Sequence, residues 1–240
     1  MALPQINDTP KYDIVIPSSK LKTKFRPYLV KEEKILLLAL EGGDETEMAQ
    51  AVINIIGSCV DADVNEKTLK TYDMDYLFCQ IRSKSVGESI DFSIRCEDAT
   101  CGHNTEVKAN LSNAKVENAD KITNIIQLTE TVSVEMEHLS YYDILRNNEI
   151  NADDAESEIV FASVLKCIKT VMTENERIDV REESKEDLVN FVDSLTSNQY
   201  QKLKEFILTI PQVSLDVNWD CGGCGKSQSM KLKGLSDFFL

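Results

Sequence analysis

Only two histidines, one tryptophan, five prolines and nine glycines occur in the 240 residues. The two histidines, His103 and His138, stand in no recognisable motif with a nucleophile. No glycine-rich phosphate loop is present, and "VGES" is not a nucleophile elbow. Acidic pairs such as Glu32-Glu33 and Asp153-Asp154 are neighbours in sequence, which do not face one another on a helix. Nothing here requires an enzyme. The longest apolar run, Ile35 to Leu40, is six residues, far short of a bilayer span. The start, "MALPQINDTPKYD", lacks a basic stretch followed by an apolar one, so no secretion signal is read. The expectation is a chain that works in a cytosol, or in a particle assembled there.

Positive charge is scarce as well: 26 Lys/Arg stand against 41 Asp/Glu, a formal net charge of −15. That balance argues against a nucleic-acid or anionic-membrane surface. The acid is uneven. From Glu117 to Glu158 there are 11 acidic residues and 2 basic ones, whereas Lys11 to Leu38 holds 7 basic and 3 acidic. Such a stretch reads as a solvated face or, more sharply, as a surface for a basic protein partner.

Periodicity gives an α+β expectation, a mostly helical body with small antiparallel hairpins, treated as one domain over 1–240 because no Pro/Gly/Ser-rich linker interrupts it. "YDIVIP" and "KTKFRPYL" suggest an N-terminal hairpin over 12–28. Helices are expected over 30–86, with Gly42-Gly43 as a stop, and with the stripes Met48, Val52, Ile55, Ile56, Cys59 and Met74, Leu77, Phe78, Ile81 facing a core. A helical part over 140–210 begins with a Ser140/Asp143 capping pair. It runs through a helix from Glu158 to Met172 and ends with a Thr196/Gln199 capping box ahead of Leu203, Phe206, Ile207 and Ile210.

Seven cysteines in a chain of this kind read as metal ligands or buried thiols before they read as disulfides. Cys59, Cys79 and Cys167 fall within helical apolar patterns and are assigned to the core. The other four lie in two extended islands, 90–111 and 213–235, each an alternating strand, a cysteine pair followed by glycine, and another extended run. The first pair is Cys96-x4-Cys101-Gly102; the second is Cys221-x2-Cys224-Gly225. Zinc takes four ligands in a tetrahedron, and two thiolates from each of two tight turns supply them. The expected site is therefore one structural Zn²⁺ per chain on Cys96, Cys101, Cys221 and Cys224, in a split zinc-ribbon-like arrangement, with His103 as a competing ligand. The rival reading is a redox CxxC at Cys221 and Cys224. Such motifs cap a helix that lowers the thiol pKa, whereas "GKSQSMKLKG" is no helix start, so the context favours metal.

Four stretches carry a resemblance: "KFRPYLVKEEKILLLALE", "DYLFCQIRSKSVGE", "CGHNTEVKANL" and "CGGCGK…LKGLSDFF". In this order, from about Tyr12 to Phe239, they resemble the baseplate hub protein family of T4-like contractile-tailed bacteriophages. The resemblance implies a tail protein needed to build the central hub of the baseplate, assembled in the host cytoplasm, with the virion tail baseplate as its expected location. It implies no catalytic residue, structural cysteine pairs, and other hub and tail proteins as partners, with a homo-oligomer also open. The "EDAT" between Cys96 and Cys101 departs from a CxxC turn and puts the geometry of that half-site in question. A transient assembly chaperone and, from a different class, a thiol oxidoreductase are the alternatives.

Overall fold

In the computed structural model, which describes residues 9–119, 123–146, 155–234 and 237, contacts gather into two compact units. The first joins Met1–Glu117 to Gln212–Leu240, and the second is the intervening Asn118–Pro211. Both mix helices with small antiparallel sheets. No helix among the described residues is long and apolar enough to cross a membrane.

The first unit opens with the hairpin β1 (Tyr12–Val15) and β2 (Lys22–Phe25), paired from Tyr12↔Phe25 to Val15↔Lys22. Three helices follow: α1 (Val30–Gly42), α2 (Glu45–Cys59) and α3 (Thr71–Ser85). Helix α1 stops where expected, with Gly43 in the left-handed region at φ 68°, a conformation glycine adopts without steric cost. Along α3 the sequence stripe is fully realised, Met74, Leu77, Phe78 and Ile81 all being fully buried. Each such side chain contributes about 1.5–3 kcal/mol by leaving water. Asp73, also buried, ties the first hairpin to this helix. Its carboxylate accepts from the Ser18 backbone N–H at 2.8 Å, the Ser18 hydroxyl at 2.5 Å and the Lys70 N–H at 3.0 Å.

After α3 the chain forms β3 (Ser89–Arg95) and β4 (Asn104–Asn110), an antiparallel pair, and then the short β5 (Lys115–Glu117). The C-terminal strands, labelled β10 (Gln212–Asp220) and β11 (Ser227–Lys233) to follow those of the second unit, pair with each other. They form with β5 a three-stranded sheet in the order β11-β10-β5. Alternate residues of the two hairpins, Ile90, Val107 and Ala109 from one and Val213, Leu215, Val217 and Leu232 from the other, share one core with Cys79 of α3. Period-2 alternation dictates this, since every second side chain of a strand points to the same face.

The second unit is a four-stranded antiparallel sheet with helices. Its strands are β6 (Ile125–Gln127), β7 (Ser133–Met136), β8 (Ile168–Met172) and β9 (Arg177–Asp179), in that order. The helices are α4 (Tyr141–Arg146), α5 (Glu156–Cys167), α6 (Lys185–Asp193) and α7 (Ser197–Leu208). The Ser140/Asp143 and Thr196/Gln199 capping pairs form as read from sequence. The helix expected from Glu158 to Met172 does not run through: it ends at Cys167 and the chain becomes β8. The cause is the β-branched cluster Ile168, Thr170, Val171, which loses side-chain freedom in a helix. In β8 it pairs with strands on both sides, Val171 facing Val134 and Ile178. The stretch 140–210 is thus helix and sheet together, not helical throughout.

The absence of linker composition is explained by register. Glu117 and Gln212, the residues on either side of the second unit, are Cα partners on one antiparallel rung. An insertion made at the end of a ladder needs no flexible connector. We expect that replacing Asn118–Pro211 by Asn-Gly, which closes such a rung with a two-residue turn, leaves the first unit folded. Circular dichroism and thermal unfolding check this. Loss of a cooperative transition would instead favour the single unit over 1–240 expected from sequence.

Candidate metal centre

Each hairpin of the first unit presents its cysteines at the tip. Cys96 follows β3 directly, and its N–H donates to the His103 carbonyl at 2.8 Å. Cys221 follows β10 in the same way, its N–H donating to the Lys226 carbonyl at 2.9 Å. Gly102 and Gly225, each next after the second cysteine, turn the chain at φ 59° and 71°. The two tips are built alike. The two extra residues of the first are absorbed by Asp98, whose carbonyl accepts from the Cys101 and Gly102 N–H groups at 2.9 and 3.2 Å. Its carboxylate meanwhile accepts from the Thr100 N–H and hydroxyl at 2.9 and 2.6 Å. An Asx turn therefore does for the longer loop what the shorter CxxC needs no help with.

The Sγ atoms of Cys96, Cys101, Cys221 and Cys224 all lie within 4.8 Å of one another. Two contacts run between the hairpins, Cys96 to Cys224 and Cys101 to Cys221, both 3.8 Å. A tetrahedron with Zn–S bonds of ~2.3 Å has sulfur–sulfur edges of ~3.8 Å, so the four donors fit a four-coordinate ion. A disulfide would need about 2.05 Å between sulfurs, and all four are free thiols. Burial is graded: Cys221 and Cys96 are buried, Cys101 is intermediate and Cys224 is exposed.

Several polar donors point at sulfur, and their effect differs from one thiol to the next. The Gln228 side-chain amide donates to Cys96 Sγ at 3.0 Å, and the Gly223 N–H reaches Cys221 Sγ at 3.4 Å. The Thr105 hydroxyl lies 3.9 Å from the same sulfur and itself accepts the Gly222 N–H at 3.1 Å. The backbone N–H groups of Cys224 and then Gly223 pull the Cys221 thiol down to about 6. At Cys101 the His103 N–H also pulls down, but burial and the neighbouring thiols outweigh it and push the group up to about 11. Across the tips Lys226 pairs with Asp98, and this contact holds the Asp98 carboxyl well below the usual carboxylate range.

His103 takes no place among the four donors. It packs over the second tip so closely that a Cβ on Gly223 would lie 2.7 Å from the His103 Cβ and 3.1 Å from Cys101 Sγ. Glycine is required there by contact, not by backbone angle. Cys59, Cys79 and Cys167 are buried in the cores as read from sequence, and burial pushes the first two thiols up to about 11 and about 12. Sequence reading did not single out Gln228, Thr105 or the Asp98–Lys226 pair. Opposite charges within the two loops were the one available signal. Of the acidic stretch Glu117–Glu158, Asp120, Glu149, Asp153 and Asp154 lie outside the described residues.

Residues 9–240 match a family described as T4 bacteriophage base plate protein. The chain is also 22% identical over 230 residues to the baseplate hub assembly protein gp26 of Enterobacteria phage T4, covering 95% of this chain and 97% of that one. No solved structure matches. Since the family match takes in nearly the whole sequence, the protein belongs to the T4 bacteriophage base plate protein family and is a baseplate protein of a phage tail.

Proposed function

We propose that this chain is a part of the central hub of the baseplate that acts through contacts with other tail proteins and is stabilised by one structural zinc. The hub assignment leans on the likeness to a hub assembly protein along both full chains. Contact with other proteins is supported by α1, where Val30, Leu37 and Leu38 are 66%, 51% and 68% exposed. Three large apolar side chains open to water on one helix are costly unless something covers them. The role is structural and non-enzymatic, in keeping with a family of baseplate proteins. A transient assembly factor is the second reading, favoured by the word assembly in the relative's name.

The observation that carries the zinc is the 3.8 Å spacing of sulfurs contributed by two separate hairpins. Four thiolates leave no open position on the ion, so the centre holds structure and does no chemistry on substrates. It joins positions 120 residues apart in sequence, and the closure entropy of such a loop is removed from the folded state's disadvantage. A thiol oxidoreductase would use Cys221 and Cys224 alone, whereas here each also has a cysteine of the other hairpin 3.8 Å away.

Elemental analysis of protein purified without chelator should give about one zinc per chain, lost in Cys221→Ser. A chelator should lower the thermal midpoint, because binding is coupled to folding. Cys59→Ala should keep the metal and cost on the order of 1 kcal/mol as a core truncation. Absence of metal together with a Cys221–Cys224 disulfide would support the oxidoreductase. Gly223→Ala should cost about 1–3 kcal/mol in denaturant unfolding by overpacking, and His103→Gly in the same chain should recover part of it. Mass spectrometry of purified virions should find this chain among the tail proteins. Its presence in assembly intermediates but not in virions would favour the transient factor.

A further inference from the structure

The second unit carries a surface cavity of about 170 Å³ between the β8–β9 edge of its sheet and α6. Val171, Ile178, Val180, Leu188 and Phe191 supply its apolar walls, and among the described residues the charged groups lining it are Glu183 and Asp187. The arrangement is layered. Val171 is buried and the other four are half-buried, whereas both acidic residues are exposed. Asp187 is also held in place, its carboxylate accepting the hydroxyl of Ser184, the residue that caps α6.

We propose that this cavity is a socket for one basic side chain, lysine or arginine, of a partner protein. The inference rests on the reading that the chain works through protein contacts, and it names the chemistry of one contact. Lysine and arginine have an aliphatic stem that buries well and a cationic head that does not. Buried and half-buried apolar walls with exposed carboxylates suit that order. The volume is well under the ~300 Å³ at which small-molecule sites begin, so one side chain fits better than a whole ligand. A neutral apolar anchor would fill the walls but gain no charge contact with the two carboxylates. The chain's net charge of −15 also favours encounter with a basic partner.

The test uses the full zinc-loaded chain with labelled methyl groups and three probes: butylguanidinium, pentylammonium and neutral butylurea. Either cation should shift the methyl resonances of Val171, Ile178 and Leu188 saturably, and whichever binds more tightly identifies arginine or lysine. Butylurea should bind more weakly by on the order of tenfold, the effect of about one partly solvated charge contact. Glu183→Lys should bring the cations down to the butylurea level while leaving the rest of the spectrum in place. Equal binding of butylurea and the cations would overturn the socket in favour of a plain apolar anchor. No saturable shift at these methyls would also overturn it, as would shifts produced by raising protein concentration alone, which would seat a second copy there. None of these failures bears on the virion or zinc measurements, so the socket and the hub reading fail separately.

Discussion

Four thiols within 4.8 Å of one another cannot all carry charge unless a cation joins them. That constraint organises the first unit. One thiol, Cys221, is drawn down by two backbone N–H groups, while Cys101 is driven up by burial and by its neighbours. Left alone, the cluster is a conflict. With a divalent ion at its centre, the same N–H and amide donors aimed at sulfur become support for bound thiolate. The apolar core shared by the two hairpins brings the tips together, and the Asp98–Lys226 pair closes over them.

The four-cysteine cluster and the acid-rimmed cavity lie in different units of the chain. All four cysteines belong to the unit made of Met1–Glu117 and Gln212–Leu240, and the acid-rimmed cavity belongs to the inserted one. Helix α1, with its open apolar residues, lies in the metal-bearing unit. A baseplate protein has to be rigid in itself and adhesive toward others, and these demands conflict if they fall on the same side chains. A structural ion held by the four cysteines would supply rigidity without drawing on the open side chains of α1 or of the cavity.

Much of this was legible in the sequence, for identifiable reasons. The α3 stripe was readable because its period is unbroken, and the clustering of the four cysteines was readable because Cys-Gly turns recur in both islands. The departure in the first pair concealed a regular tip, since an aspartate two residues after Cys96 builds the turn through its own carboxylate and carbonyl. Strand β8 was hidden because Ile168 and Met172 continue the spacing of the α5 stripe, and only pairing partners remote in sequence make the extended form win. The short strands β6 and β9, three residues each, carry too little pattern to be seen alone. The division into two units was invisible for a different reason: register between β5 and β10 is a tertiary fact with no local trace.

The rung that joins Glu117 to Gln212 also sets an order of events during synthesis. Cys96 and Cys101 leave the ribosome with β3 and β4, but Cys101's partner Cys221 lies 120 positions later. At ~5–20 residues per second that interval is roughly 6–24 s. Throughout it the N-terminal share of the first unit lacks β10 and β11, so its apolar hairpin face and two thiols stand open. The inserted unit, by contrast, is contiguous and is complete before the last strands emerge. This protein therefore completes its inserted unit before its ends meet, and the four-cysteine cluster comes together last.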